Sequence, residues 1–470
     1  MNTLLYSTPY RFMLRRKAYD ELLRWKSSKH KCLLVKGQRQ VGKTYIIEYF
    51  GRHEYDHFLS FNLSEEPEIC SVFDGNLDVD TIVRGLMLYR DPSEFVPGST
   101  LILLDEIQEC DRARTALKFF SIDGRYDVIA SGSLLGVSCP RKRMRKDDDR
   151  PRPLVPTGYE NHLEMYSLDF EEFLWANRIS EDTIEYVRGC IRDRQAIDTA
   201  VFNRFTSLFR DFMIVGGMPE AVESFVNSKN YAEPHKVLDD VMICVELDIN
   251  RYNTGIEADK TLECFRSIPS QLAQTNKKFM YSRIGGGGSR KAADTYRENL
   301  LWIGGAGVGN FCYSLGSVEI PLRANEDRSM FRVYMSDTGM LMHAYGDSTI
   351  RAIVSGDNSV NMGAIAENEV CECLMKSHLV PRYYRRDSGK MMMELDFIVE
   401  LGDELAVIEV KSGRKREAPS LNKVNKVFDV DRRIMFEQSN IHVSDDGIEH
   451  YPLFAAAFIT DMCRGCSEVH

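Results

Sequence analysis

The run Cys32-Leu33-Leu34-Val35-Lys36-Gly37-Gln38-Arg39-Gln40-Val41-Gly42-Lys43-Thr44 joins four apolar residues to a glycine-bounded loop that ends in Lys-Thr. A short continuous apolar run of this kind reads as a strand buried on both faces, the habit of parallel sheets. The spacing G-x-x-x-x-G-K-T leaves successive backbone N–H groups free to converge on an anion. A helix expected over 45–50 adds the positive end of its dipole. Phe58-Leu59-Ser60-Phe61, Leu101-Ile102-Leu103-Leu104 and Asp127-Val128-Ile129-Ala130 repeat the apolar pattern. The stretches between them are long enough for right-handed crossovers. The N-terminal third therefore predicts an α/β fold, an open parallel sheet with a phosphate-binding loop after one strand.

In that loop Gly37, Gln38, Arg39, Gln40, Val41 and Gly42 are the candidates to line a nucleotide's phosphates. Lys43 reaches the β- and γ-phosphates in such a loop, and Thr44 offers its hydroxyl to Mg²⁺. The apolar run at 101–104 is followed by Asp105-Glu106, which puts an acid at the carboxyl end of a buried strand, where open α/β sheets bind ligands. Asp105 is the second candidate to hold Mg²⁺. Glu106 is the candidate base for an attacking water, a pairing suited to hydrolysis. Ser131-Gly132-Ser133 ends the next strand, and Ser131 is placed to sense a γ-phosphate. Arg141, Arg143 and Arg145 fall in the stretch 140–153, whose near absence of apolar residues predicts an exposed, mobile loop, so no arginine finger is assigned. The expected ligand is ATP with Mg²⁺. A kinase-like transferase is the competing reading, opposed by Glu106 beside Asp105 and by the extra strand between the loop strand and Asp105.

Composition sets the frame. The chain has 470 residues, 43% hydrophobic and 28% charged, which suits about three globular domains. Its net charge is −10, yet residues 1–50 carry +8 and residues 151–250 carry −9, so local basic surface is compatible with the acidic total. No secretory leader and no long apolar run is visible, and the 12 cysteines are scattered, which predicts a reduced, cytoplasmic chain with no membrane span. Cys463 and Cys466 make one C-x-x-C knuckle. A structural zinc site needs two, and Cys371 with Cys373 is not a second of the usual spacing, so core thiols are the better reading.

Beyond residue 170 the pattern is mostly helical, at 170–176, 202–215, 235–249, 262–275 and 292–302, with a further apolar helix at 364–375. Gly216-Gly217-Met218-Pro219 predicts a tight turn between helices, and the four glycines at 285–288 a loop tip. Lys277, Lys278, Arg283, Arg290 and Lys291 lie together without an acid, interleaved with Phe279 and Tyr281. Such a segment tracks a phosphate backbone, or else is a solvated surface whose aromatics belong to the core.

Glu394-Leu395-Asp396-Phe397-Ile398-Val399-Glu400 and Leu405-Ala406-Val407-Ile408-Glu409-Val410-Lys411 read as two strands joined by a four-residue loop. If Glu400 pairs with Leu405, Asp396 faces Glu409 with Cβ atoms about 5 Å apart. Glu409 and Lys411 then share a face. Adjacent carboxylates repel unless they share a proton or a divalent cation, and a nearby lysine can orient a water there. Glu367, on the preceding helix, is a further candidate acid, and Lys411, Arg414, Lys415 and Arg416 make a basic rim. A surface Lys-Glu ladder is the plainer reading of the same residues.

The P-loop run, Asp105-Glu106 and Ala130-Ser131-Gly132-Ser133 together resemble a prokaryotic AAA+-type P-loop ATPase family. Ser167-Leu168-Asp169-Phe170-Glu171-Glu172-Phe173-Leu174, Gly216-Gly217-Met218-Pro219-Glu220 and Ser267-Ile268-Pro269-Ser270 extend the resemblance. Tyr334-Met335-Ser336-Asp337-Thr338-Gly339 and Gly363-Ala364-Ile365-Ala366-Glu367-Asn368 carry it over nearly the whole chain. It implies an ATPase core over 1–165, a helical lid over 166–225, a winged-helix-like region over 226–347 and a small α/β restriction-endonuclease-like domain over 348–470. The last resembles the D…E-x-K signature of the PD-(D/E)XK nucleases, which implies Asp396 and Glu409 as metal ligands and Lys411 as the water-positioning residue. Leu395 stands where that signature has proline. Two functions follow as expectations: an ATP hydrolase whose C-terminal module binds double-stranded DNA and cuts it with Mg²⁺, or an ATP-controlled switch whose inactive nuclease-like module recruits a protein partner or a second copy.

Overall fold

The computed structural model describes residues 14–28, 31–134, 158–253, 255–284, 291–357, 361–386, 392–413 and 418–463. The arginines of 140–153, the glycine run at 285–288, the side chains of Arg290 and Lys291, Arg414, Lys415, Arg416 and Cys466 lie outside the described residues.

Strands β1 (Cys32–Gly37), β2 (His57–Asn62), β3 (Thr100–Asp105), β4 (Asp127–Ser133) and β5 (Glu160–Met165) form one parallel sheet in the order β2-β3-β4-β1-β5. The four apolar runs are the four strands expected, each extended by a residue or more. β4 lies between β1 and β3, so the strand ending at Ser131-Gly132-Ser133 stands between the loop strand and the acidic strand. Side chains alternate between two cores, as the two-residue strand period requires. Leu33, Val35, Leu103 and Ile129 meet helices α1 (Lys17–Ser27) and α2 (Lys43–Glu54) on one face. Leu34, Ile102, Leu104 and Val128 meet α3 (Val79–Leu86) and α4 (Asp111–Asp123) on the other. β5 was not anticipated, because its sequence Glu160-Asn161-His162-Leu163-Glu164-Met165 carries only two apolar residues; it is the sheet's edge and pairs with β1 alone.

A helical region follows: α5 (Phe170–Ala176), α6 (Glu181–Asp193), α7 (Thr199–Val215), α8 (Pro219–Ser228), α9 (Ala232–Tyr252), α10 (Ile256–Leu272) and α11 (Lys291–Gly305). Asp169 and Glu172 close a reciprocal capping box on α5, which satisfies two backbone donors at once. Gly216 to Pro219 is the tight α7–α8 turn expected, with Pro219 at the first helical position, where a missing N–H costs nothing.

The second sheet holds β6 (Gly309–Leu315), β7 (Glu326–Met335), β8 (Arg382–Arg386), β9 (Met393–Leu401), β10 (Glu404–Val410), β11 (Arg432–Glu437), β12 (His442–Val443) and β13 (Glu449–Pro452), in the order β12-β13-β11-β10-β9-β8-β6-β7. The β6–β7 hairpin thus joins the sheet of the C-terminal strands, β6 lying parallel to β8 through Tyr313↔Arg382 and Ser314↔Tyr383. The sheet crosses the 347/348 boundary expected from the resemblance. β9 and β10 pair with Glu400 opposite Leu405 and Phe397 opposite Ile408, the register expected. Their connection is tighter than the four-residue loop expected: Gly402 and Asp403 alone make the turn, and Gly402 takes the positive φ of 64° that a tight hairpin needs.

Helices α12 (Thr338–Tyr345), α13 (Asp347–Ser355) and α14 (Met362–Lys376) pack the second sheet against the helical region. A buried polar knot fixes the joint. The Asp337 carboxylate caps α12 and accepts from Ser167 Oγ at 2.8 Å and Gly217 N–H at 2.9 Å. Glu372 accepts from Thr338 N–H at 2.7 Å and from Lys376 Nζ at 2.6 Å, while Lys376 also donates to the Leu168 carbonyl at 2.7 Å. Glycine is required where the backbones cross: a Cβ on Gly217 would stand 2.1 Å from the Leu168 oxygen, and one on Gly339 2.5 Å from the Val215 oxygen.

Candidate nucleotide site and acidic cluster

The phosphate loop bends through Gln40 and Gly42, both at positive φ, 62° and 88°, and delivers Lys43 to the first turn of α2. Gly37 is dictated by the sheet, since a Cβ there would sit 2.2 Å from the Met165 carbonyl oxygen of β5. Lys43 folds back into the loop and donates to the carbonyls of Gly37 at 3.0 Å and Gln38 at 2.8 Å. Burial lowers its pKa to about 8, against the opposing pull of Glu106 and Asp105. Asp105, at the end of β3, joins the parts expected of a Mg²⁺-nucleotide site. Its Oδ2 accepts from Thr44 Oγ1 at 2.9 Å, and its Oδ1 accepts from Ser131 Oγ and from Glu106 N–H at 3.0 Å. Thr44, Asp105 and Ser131 are therefore one hydrogen-bonded group. Glu106 occupies the left-handed region at φ 53°, which costs a glutamate energy, and Gln108 donates to its carboxylate.

Three residues absent from the sequence reading complete this end of the molecule. Arg16, 8% exposed, donates to the Val41 carbonyl at 2.9 Å, the Tyr166 carbonyl at 2.8 Å and Glu172 at 3.1 Å, bracing the loop from outside. Asp248 on α9 pairs with Arg39 at 2.5 Å, and Cys244, one turn earlier, accepts from Gln40 at 3.4 Å. Helix α9 thus lies on the loop's tip. Gln38 faces the other way, accepting from Ser336 Oγ at 3.2 Å and donating to Met340 Sδ at 3.6 Å, beside the knot at Asp337. A cavity of about 340 Å³ lies there, touching the loop through Gln38 alone, so it is separate from the phosphate site. No local signal marks these partners, because each comes from an element distant in sequence.

The hairpin brings Asp396, Glu409 and Lys411 together, with Glu367 from α14. All three carboxylates are buried. Lys411 Nζ meets Glu409 Oε1 at 2.5 Å, and Val410 N–H donates to Asp396 Oδ2 at 3.1 Å. Two bases not foreseen in this role also enter: Lys277 pairs with Glu367, and Arg332 of β7, 1% exposed, pairs with Glu394 and stands 3.9 Å from both Glu367 and Asp396. The second carboxylate oxygens of Glu367 and Glu409 remain buried without a hydrogen-bond partner. Burial, with Asp396 adding to it, pushes Glu409 up to about 8. Among the stretch expected to track a phosphate backbone, Lys277 is turned inward, and Phe279 is buried and stacked on Phe331 with ring centroids 5.7 Å apart. Phe279 is core, Tyr281 is half-buried against it, and Arg283 is exposed.

Residues 29–174 match the model of an AAA domain. Residues 206–351 and 362–454 match two domains of unknown function, DUF8612 and DUF4143. No curated protein matches the chain. Among solved structures, the Walker-type ATPase PABY2304 of Pyrococcus abyssi aligns over 71% of this chain and 96% of its own, at 11% identity and a TM-score of 0.40. The Thermotoga maritima RuvB Holliday junction branch migration motor aligns over 63% and 89%, at 12% identity and 0.28. A Bacteroides Pif1 helicase in complex with ADP-AlF3 and ssDNA aligns over 43% and 50%, at 13% identity and 0.24. No helix among the described residues is long and apolar enough to cross a membrane. The phosphate loop, Asp105 and the parallel sheet thus coincide with the segment that matches an AAA domain, and the two segments beyond it match domains of unknown function.

Proposed function

We propose that the chain is an ATP hydrolase of AAA type whose C-terminal module acts on double-stranded DNA through a divalent cation. The grouping of Thr44, Asp105 and Ser131 at the mouth of the phosphate loop carries the first half. Mg²⁺, when bound, supplies charge neutralisation at the β- and γ-phosphates. Thr44 and Asp105 are the residues to hold it. Lys43 leaves the two loop carbonyls to meet the phosphates. Glu106, held by Gln108, accepts the proton of the attacking water. Glu106→Gln should keep ATP binding and lower turnover by about 10²- to 10⁴-fold, read by phosphate release beside a fluorescent-nucleotide titration. Undiminished turnover would place the base elsewhere.

The orphaned, buried second oxygen of Glu409 supports the second half, since a divalent cation bound beside it would satisfy it. Asp396 and Glu409 would hold the ion, and Lys411, paired to Glu409, would position the nucleophilic water. Plasmid cleavage with Mg²⁺ or Mn²⁺ is expected from the wild type and not from Lys411→Ala. The second reading, a switch with an inactive module that recruits a partner protein or a second copy, is favoured by Arg332 and Lys277, which already supply positive charge to the acids. Failure of the wild type to cut with either ion decides for that reading.

A further inference from the structure

At the opposite edge of the second sheet, Glu437 ends β11, His442 lies in β12 and His450 lies in β13. His442 and His450 are direct cross-strand partners, and their rings stack 4.2 Å apart at 15°. His450 Nδ1 is 2.9 Å from Glu437 Oε1, and each of the three residues brings a ligand atom within 4.8 Å of the other two. We infer that Glu437, His442 and His450 form a binding site for a Zn²⁺-class transition-metal ion, distinct from the nucleotide site and from the acidic cluster.

Chemistry and geometry agree on this. Two imidazoles and one carboxylate are a ligand set that takes Zn²⁺ and leaves a fourth position to water. Glu437 is 2% exposed and His450 8%, so these two groups are already desolvated and close, and the proton they share occupies the place a cation would take. His442 Nδ1 lies 3.1 Å from the Asn440 carbonyl, which fixes that nitrogen as the N–H and leaves Nε2 with its lone pair for a metal. Bonds of 2.0–2.1 Å require ligand atoms about 3.3 Å apart, so the exposed His442 ring alone has to turn from its stacked position. Glu409, Met435 and His450 stand in one cross-strand row. Two strand spacings, roughly 10 Å of backbone, then separate the acidic cluster from this site, and the ligand atoms that converge among the described residues are those of Glu437, His442 and His450.

The segment 437–442 also carries Asn440, whose side chain accepts from Ile197 N–H at 2.9 Å and donates to the Ile197 carbonyl at 2.6 Å. An ion at this site therefore tightens the joint between the α6–α7 connection and the sheet edge. The test is a Co²⁺ titration of the chelator-treated, nucleotide-free full chain, followed by visible absorption, with Zn²⁺ as competitor. One equivalent is expected to give the intense bands of a low-coordinate, imidazole-bound ion, displaced by Zn²⁺. His442→Ala and Glu437→Gln should each weaken uptake about tenfold or more, while Asp396→Asn keeps it. Absence of the bands in the wild type overturns the site, and so does uptake that survives His442→Ala and disappears in Asp396→Asn.

Discussion

Lys43 is half-buried and Glu409 buried, and each sits away from its ordinary titration range, in directions that bear on binding. Lys43, lowered to about 8, is largely neutral in the empty loop above that pH, and phosphates restore its charge. ATP binding at pH 9 should therefore take up a proton, and affinity should fall as pH rises past 8. Calorimetry in two buffers of different ionisation enthalpy measures this; heats independent of the buffer would mean the amine is charged before ATP arrives. Glu409 works in the opposite sense. Its folded pKa of about 8 lies above the ordinary carboxylate value, so its contribution to stability is fully present below the ordinary value and is lost as pH rises through 8. Without cation, stability should fall between about pH 5 and 8, and Glu409→Gln should flatten that slope in urea titrations. Mn²⁺ must displace the same proton, so its affinity at the acidic cluster should climb toward pH 8 and level off above it.

Elements were legible where local pattern decides them and illegible where partners do. Four apolar runs gave four strands, and the Glu400–Leu405 pairing followed from the hairpin's own alternation. β5 is polar because it is an edge, and the union of β6 with β8 is a long-range pairing that leaves no trace in either strand's sequence. The acids and Lys411 were readable from spacing, whereas Arg332 and Lys277 reach them from elsewhere in the chain. Lys277 sat in plain view within a basic stretch, but its neighbours gave no indication that it points inward. Glycines divide in the same way. Gly189 lies inside α6 with open space where a Cβ would go, so Gly189→Ala should stabilise by about 0.4–1 kcal/mol. Gly339→Ala forces a side chain onto the α7–α8 turn and should cost about 1–3 kcal/mol. Urea denaturation of the two variants should therefore show opposite signs.

Across the whole molecule, one chain of contacts joins the phosphate loop to the acidic cluster. Gln38 touches Ser336 and Met340, Thr338 donates to Glu372 of α14, and five residues earlier on that helix stands Glu367. Asn368 beside it receives the Met335 N–H at 2.8 Å, at the end of the strand that carries Arg332. A non-hydrolysable ATP analogue is expected to slow amide exchange in α14 and β7. Gln38→Ala should bind the analogue and lose that protection; protection unchanged in the variant would break the proposed path. The eight-stranded sheet has a separate practical consequence. A fragment beginning at residue 348 would strip β6 and β7 from β8, leaving a raw, hydrogen-bond-hungry border open to pairing with other chains. A cut before residue 309 keeps that border covered, so the C-terminal strands are best expressed with the hairpin that precedes them by some fifty residues in sequence and adjoins them in space.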